Sequence, residues 1–242
     1  MSLAEIAPDS FARTLALHSG PDGAVWWLMD GCPGVSLAQD PTLQSAVHVV
    51  EACARLQRRL SNTEVVDLPV LDLVAACGWA TSLLQETCGN DAEPCAAIER
   101  AFGEVNNAVP ACWIPLDLDP GNVLLDRDAV RFIDLDDSYI GPAPLAVATL
   151  VRRVQRSIPS LAEVAASGAI YDAYLKAWAP ARQPRIHWGA IDLLSRVLED
   201  YLGWRRVVTM SERGEVHGLL DLARRRIAHR LARAAMRAGL VS

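Results

Sequence analysis

Pro115-Leu116-Asp117-Leu118-Asp119-Pro120-Gly121-Asn122-Val123-Leu124-Leu125-Asp126, followed by Arg131-Phe132-Ile133-Asp134-Leu135-Asp136-Asp137, is the stretch on which the reading of this chain turns. Seven aspartates fall between Asp117 and Asp137. Two short apolar runs, Asn122 to Leu125 and Val130 to Ile133, flank Asp126-Arg127-Asp128-Ala129. That is the pattern of a β-hairpin whose strands end on carboxylates. Aspartate is disfavoured inside strands, so acids gathered at strand ends point to cation binding, proton transfer or both.

The rest of the chain reads as the scaffold for this hairpin. Its 242 residues carry a formal net charge of −6, and 51% are hydrophobic, enough for a sizeable core in one large or two small domains. No apolar run approaches the roughly 18 residues that span a bilayer. The first residues lack the basic-then-apolar order of a signal peptide. The expectation is a cytoplasmic protein with no membrane partner. The cysteines (Cys32, Cys53, Cys77, Cys88, Cys95 and Cys112) form no Cys-x-x-Cys pair and have no histidine at metal-ligand spacing. They read as small buried hydrophobes in a reducing compartment.

Upstream, Phe11 to His18 and Ala24 to Met29 are strand-like runs around Ser19-Gly20-Pro21-Asp22-Gly23, a second expected hairpin. Helical spacing is expected from Pro41 to Leu60, with Leu43, Ala46, Val47, Val50, Ala54 and Leu56 apolar, then from Leu68 to Cys88 and Glu93 to Asn106. Pro110 and Pro115 close that region. After Gly141-Pro142-Ala143-Pro144 only helices are expected: Leu145 to Ser157, Leu161 to Trp178, Trp188 to Trp204 and Glu215 to Ala238. The fold class is therefore α+β, mostly helical, with the acidic hairpin at its centre.

The last of these helices has an apolar stripe, with Arg224, Arg225, Arg226, Arg230, Arg233 and Arg237 mostly off it. It reads as the solvated basic face of an amphipathic helix. The acidic balance of the whole chain argues against a nucleic-acid partner.

Phosphoryl transfer to a hydroxyl requires a carboxylate to orient the acceptor and take its proton, and oxygen ligands to hold Mg²⁺ against nucleotide phosphates. Asp117 and Asn122 share one loop braced by Pro120-Gly121, and Asp134 lies on the adjacent strand. An acid, an amide oxygen and a second carboxylate are thereby gathered on one hairpin.

At these residues the sequence resembles the aminoglycoside phosphotransferase and choline kinase family, which has a protein-kinase-like fold. Asp117-Leu118-Asp119-Pro120-Gly121-Asn122-Val123-Leu124 is similar to that family's catalytic loop, and Ile133-Asp134-Leu135-Asp136 to its metal-binding segment. Trp26-Trp27-Leu28-Met29-Asp30-Gly31 with Pro33-Gly34-Val35-Ser36-Leu37 looks like the family's hinge. The resemblance implies Asp117 as catalytic base, Asn122 and Asp134 as magnesium ligands, and backbone at Leu28, Met29, Asp30 and Gly31 meeting the adenine of ATP. It implies an ATP- and Mg²⁺-dependent phosphotransferase acting on a hydroxyl of a small molecule.

Two departures bear on that expectation. Pro115 and Leu116 stand where the family has His-Gly. About 25 residues precede the hinge, no lysine precedes Lys176, and no glycine-rich phosphate loop is visible. Residues 1–30 are thus expected to be a remnant of an N-terminal lobe with the hinge, and 31–242 a kinase-like C-terminal lobe, truncated or inactive as a kinase. A non-catalytic pseudokinase or binding module is the alternative. A second alternative comes from Phe132-Ile133-Asp134-Leu135-Asp136, which also resembles the first motif of haloacid-dehalogenase-type phosphatases. There Asp134 is the nucleophile and Asp136 the acid/base, and strands and helices must alternate afterwards. The acceptor is not readable. The resemblance implies an acceptor pocket among the helices after the metal-binding segment, where Glu199 and Asp200 or Glu212 and Glu215 would suit a cationic substrate, but each reads first as solvated helix face.

Overall fold

The structure, a computed structural model, describes residues 3–21, 25–61, 68–89, 92–108, 110–135, 137–157, 164–178, 187–212 and 220–240. In chain order the elements are α1 (Leu3–Ile6), β1 (Thr14–Ser19), β2 (Val25–Met29), β3 (Val35–Ser36), α2 (Leu43–Leu60), α3 (Leu73–Cys88) and α4 (Ala92–Ala108). Then follow β4 (Ala111–Pro115), a 3-10 turn (Pro120–Asn122), β5 (Val123–Asp126), β6 (Ala129–Phe132), β7 (Ser138–Pro142), α5 (Leu145–Ser157), α6 (Val164–Trp178), α7 (Trp188–Glu212) and α8 (Leu220–Arg237). The mostly helical α+β class is as expected. After β7 the described residues form helices alone, which does not fit the alternation that the phosphatase reading needs. None of the described helices is long and apolar enough to cross a membrane.

Two compact units are present, one from residues 1–69 and 111–183, the other from 70–110 and 184–242. The second unit is a cluster of α3, α4, α7 and α8 in which each helix touches the other three. Alanines at 76, 80, 97, 101, 228 and 235, all fully buried, permit that mutual approach. Asp72 caps α3 by accepting from the Ala75 N–H at 2.8 Å, so the helix starts five residues later than its apolar spacing indicates.

The first unit holds all the described sheet structure. β1 pairs with β2, β3 with β5 and β5 with β6, and β4 with β7, all antiparallel. The acidic hairpin is β5–β6, with Val123 opposite Phe132 and Asp126 opposite Ala129. Its two-residue loop puts Arg127 at φ 54°, the positive value that tight hairpin loops require. Gly34, at φ 123°, lets the chain pass against β5. A Cβ there would stand 2.6 Å from the Leu125 carbonyl oxygen.

Three features depart from expectation. The β4–β7 pair, running from Ala111 opposite Pro142 to Pro115 opposite Ser138, has no counterpart in the sequence reading. Prolines at both ends of β4 disguised it, and four of its five residues are buried, so no in-out alternation marks it. Phe11, expected in β1, is instead buried beside β6, with the Phe132 N–H donating to the Ser10 carbonyl at 2.8 Å. Leu43, expected on the apolar stripe of α2, is 37% exposed because it occupies the helix's first turn.

Beneath the hairpin, Phe11 meets Trp113 edge-on at 5.2 Å between ring centroids, and Trp113 meets Phe132 at 5.8 Å. These three rings are almost fully buried. One side chain ties the surrounding elements together. Gln57, at 0% exposure on α2, donates to the carbonyls of Trp113 (3.1 Å) and Ala143 (3.0 Å) and accepts from the Tyr174 hydroxyl (2.8 Å). The buried thiols nearby behave as hydrophobes. Burial pushes the Cys53 thiol up to about 12, so it stays protonated and inert.

Replacing Gln57 with alanine removes three hydrogen bonds from the core. The expected loss is about 3 kcal/mol or more of unfolding free energy. Urea denaturation reads it as a lowered midpoint at unchanged slope. A loss below about 1 kcal/mol would mean that water or neighbouring groups replace the amide.

Candidate active site

Asp117 sits two residues beyond β4. The Leu116 N–H still donates to the Asp137 carbonyl at 2.9 Å, so strand pairing continues to the edge of the loop. From there the backbone closes on itself. The Asp119 N–H donates to the Asp117 carbonyl at 2.7 Å, and the Asn122 N–H to the Asp119 carbonyl at 2.8 Å. Asp119 caps the 3-10 turn by accepting from the Gly121 N–H at 2.8 Å, and Pro120 supplies a first-turn residue with no N–H to satisfy.

The side chain of Asn122 turns back into this loop. Its Nδ2 donates to the Asp117 carbonyl at 3.3 Å, which leaves Oδ1 as the acceptor end of the amide. The Asn122 carbonyl accepts from the Ile133 N–H at 3.0 Å, one residue before Asp134. Asp117, Asn122 and the Ile133-Asp134 segment are therefore joined by a short chain of backbone bonds. Residues 37 and 38 close the other side, with the Leu37 N–H on the Val123 carbonyl (2.9 Å) and the Ala38 N–H on the Pro120 carbonyl (3.1 Å).

Asp134 lies past the end of β6 at φ 55°. A residue with a Cβ pays for that left-handed conformation, and such strain concentrates at functional positions. Its carboxylate is exposed and makes no hydrogen bond or ion pair among the described residues. Asp136 lies outside the described residues. No group of three or more His, Cys, Asp or Glu side chains stands ready to hold a metal among the described residues. Asn122 Oδ1 and Asp134 are hard oxygen donors, and one carboxylate with an amide suits Mg²⁺, which completes its shell with water and substrate phosphates.

Sequence reasoning missed Arg153. From α5, which packs against β4 and the 3-10 turn, its guanidinium forks across two carboxylates: Nη2 to Asp117 Oδ1 at 2.5 Å and Nη1 to Asp119 Oδ2 at 2.8 Å. The available signal was the Arg152-Arg153 pair, which follows the largely apolar run from Leu145 to Val151 and precedes Val154. Arg152 is itself 4% exposed. Asp119 is accordingly a capping and ion-paired group.

Leu28 and Met29 lie at the end of β2 with largely exposed side chains, and Gly31 is exposed. The Asp30 N–H is taken by the Arg13 carbonyl at 2.9 Å, and its carboxylate accepts from Arg13 Nε at 3.1 Å. Leu28 to Gly31 make no hydrogen bond to the 117–122 loop among the described residues. The connection runs through β3, which pairs with β5.

Partial burial alone would raise the Asp119 carboxyl. The Gly121 N–H, the Arg153 hydrogen bond and the Arg153 charge together outweigh it and hold the group below its ordinary value. A depressed carboxylate contributes stability that is present above its unfolded value and lost as pH falls through the folded one. The stability difference between wild type and Asp119→Asn should therefore be constant above about pH 5 and shrink as pH falls through about 4 and below. Urea titrations of both proteins across that range measure it. A difference that stays flat down to pH 3 would remove the carboxylate's charge from the account.

The sequence profile of the phosphotransferase enzyme family matches residues 4–192. No curated protein matches the chain in sequence. Among solved structures, choline kinase LicA from Streptococcus pneumoniae is similar with a TM-score of 0.62 and 13% identity, over 95% of this chain and 78% of its own. Amicoumacin kinase hAmiN, in complex with AMP-PNP, Ca²⁺ and Ami, is similar with a TM-score of 0.58 and 14% identity, over 91% and 72%. The GDP complex of aminoglycoside 2'-phosphotransferase-IIIa is similar with a TM-score of 0.56 and 12% identity, over 96% and 79%. At such identities the likeness establishes a common kinase-like fold. The family profile covers most of the chain and spans the whole Asp117 to Asp134 cluster, and this chain is a member of the phosphotransferase enzyme family.

Proposed function

We propose that the protein is an ATP- and Mg²⁺-dependent phosphotransferase that moves a phosphoryl group to a hydroxyl of a small molecule. One observation carries the reading: the Asn122 amide and carbonyl link the Asp117 backbone to the Ile133-Asp134 segment, which supports taking Asp117, Asn122 and Asp134 as one site. The nucleotide and divalent cation in complexes of fold relatives support the same choice of co-substrate.

In this reading Asp117 orients the acceptor hydroxyl and takes its proton. Arg153 bonds Oδ1 of that carboxylate, fixing its rotamer and leaving Oδ2 toward the acceptor. Asn122 Oδ1 and Asp134 hold Mg²⁺. Bound with the nucleotide, the cation would neutralise charge developing on the transferred group. Leu28 to Gly31 contact the adenine, residues 1–30 act as a lobe remnant with the hinge, and 31–242 as the C-terminal lobe of a cytoplasmic kinase.

A nucleotide-binding module without turnover is the second reading. The Arg153 fork favours it, because the guanidinium occupies one oxygen of the Asp117 carboxylate.

One experiment separates the two. Millimolar Mg-ATP should raise the melting temperature of wild type and of Asp117→Asn, but not of Asp134→Asn. ADP release in the presence of a panel of alcohols, including aminoglycosides and choline, should fall by about 10²-fold or more in Asp117→Asn. Binding with no turnover on any acceptor selects the second reading. Absence of any Mg-ATP shift in wild type rejects both.

A further inference from the structure

Arg196, Arg230, Arg233 and Arg237 converge on one cavity of about 350 Å³ in the unit formed by 70–110 and 184–242. α7 and α8 run antiparallel beneath it. At one end Gly189 lies against the Ala238 carbonyl, which any Cβ at 189 would strike, and further along Arg230 reaches Asp200. The absent side chain at 189 keeps the two helices close and the cavity floor open.

The charges in this cavity do not balance. Arg196 Nε is paired with Asp192 at 2.9 Å. Arg230 forks onto Asp200, whose carboxylate is buried, which also corrects the reading of Asp200 as solvated helix face. Arg233 and Arg237 have no carboxylate partner among the described residues and are exposed. Four guanidinium groups against Asp192 and Asp200 leave a net charge of two positive, in a chain whose formal net charge is −6.

A merely solvated face would be expected to intersperse acids at three- or four-residue spacing. From Ala223 to Arg237, α8 carries six arginines and no acid. The like-charge neighbours Arg226 and Arg230, Arg230 and Arg233, and Arg233 and Arg237 stand at helical spacings where like charges repel. A bound anion would offset that repulsion. Guanidinium forks match phosphate oxygens bidentately. Arg233 and Arg237 are separated by about 6 Å along the helix axis, which suits neighbouring charges on one ligand.

We propose that this cavity is a binding site for a compact, multiply phosphorylated anion. The cavity volume and the acidic remainder of the protein favour a small ligand over a long nucleic acid, whose flanking phosphates would be repelled. The proposal does not depend on the phosphotransferase reading, which rests on Asp117, Asn122 and Asp134.

Inorganic tripolyphosphate is the probe, titrated by calorimetry in EDTA at constant ionic strength, so that no Mg-dependent site contributes. Wild type and Asp134→Asn should bind it with equal, sub-millimolar affinity. The double variant Arg233→Ala/Arg237→Ala should bind at least about tenfold more weakly with an unchanged circular dichroism spectrum. If that variant misfolds, Arg237→Gln alone should still weaken binding severalfold. Undetectable binding to wild type overturns the proposal, as does equal affinity in the arginine variants. Equal binding of sulfate at the same ionic strength would reduce the site to charge screening. A short oligothymidylate binding more tightly than tripolyphosphate would replace the compact ligand with a nucleic acid.

Discussion

A single buried amide holds the first unit in register. Gln57 is polar, wholly enclosed and satisfied on three sides, by the Trp113 and Ala143 carbonyls and the Tyr174 hydroxyl. Those partners belong to β4, to the residue after β7, and to α6. Each gains from the amide a hydrogen bond inside a dry core. β4 and β7 in turn flank the site, since one leads into Asp117 and the other begins just after Asp134 and Asp137. The position of the acids is thus set from below, by a hydrogen-bond network that contains none of them.

Above that network the site is governed by charge. Seven aspartates in a short stretch would repel one another if left alone, and the protein answers with a guanidinium from α5 that spans two of them. Asp119 is given over to capping and pairing, Asp117 is oriented by the same arginine, and Asp134 is left exposed in a strained conformation. This division separates acids that build the loop from acids available for chemistry, a distinction that composition alone does not make.

What was legible in the sequence was local. The β5–β6 hairpin, the strands around residue 20 and the boundaries of α5 follow from alternation, turn residues and helical spacing over a few residues. What was hidden depends on partners distant in the chain. Arg153 and Asp119 are 34 residues apart, and Arg230 and Asp200 are 30 apart. Neither pairing leaves a periodic trace in sequence. β4 escaped notice because strands buried on both faces lose their alternation and its flanking prolines read as breaks. The solvated reading of Asp200 failed because the cation that pairs with its buried carboxylate, Arg230, lay elsewhere in the chain.

The β1–β2 hairpin has a different consequence. All six residues of β1 are exposed, and Leu15, Leu17, Leu28 and Met29 face solvent by 45–59%. A two-stranded ribbon of this kind contributes little to the core and is only marginally stable alone. Its opening can therefore cost far less free energy than global unfolding, while the loop wired to Asn122 and braced from Gln57 opens only with the core. Two regimes of amide exchange would coexist within one compact unit. The segment that meets solvent would sample many states in the time the acidic loop samples one.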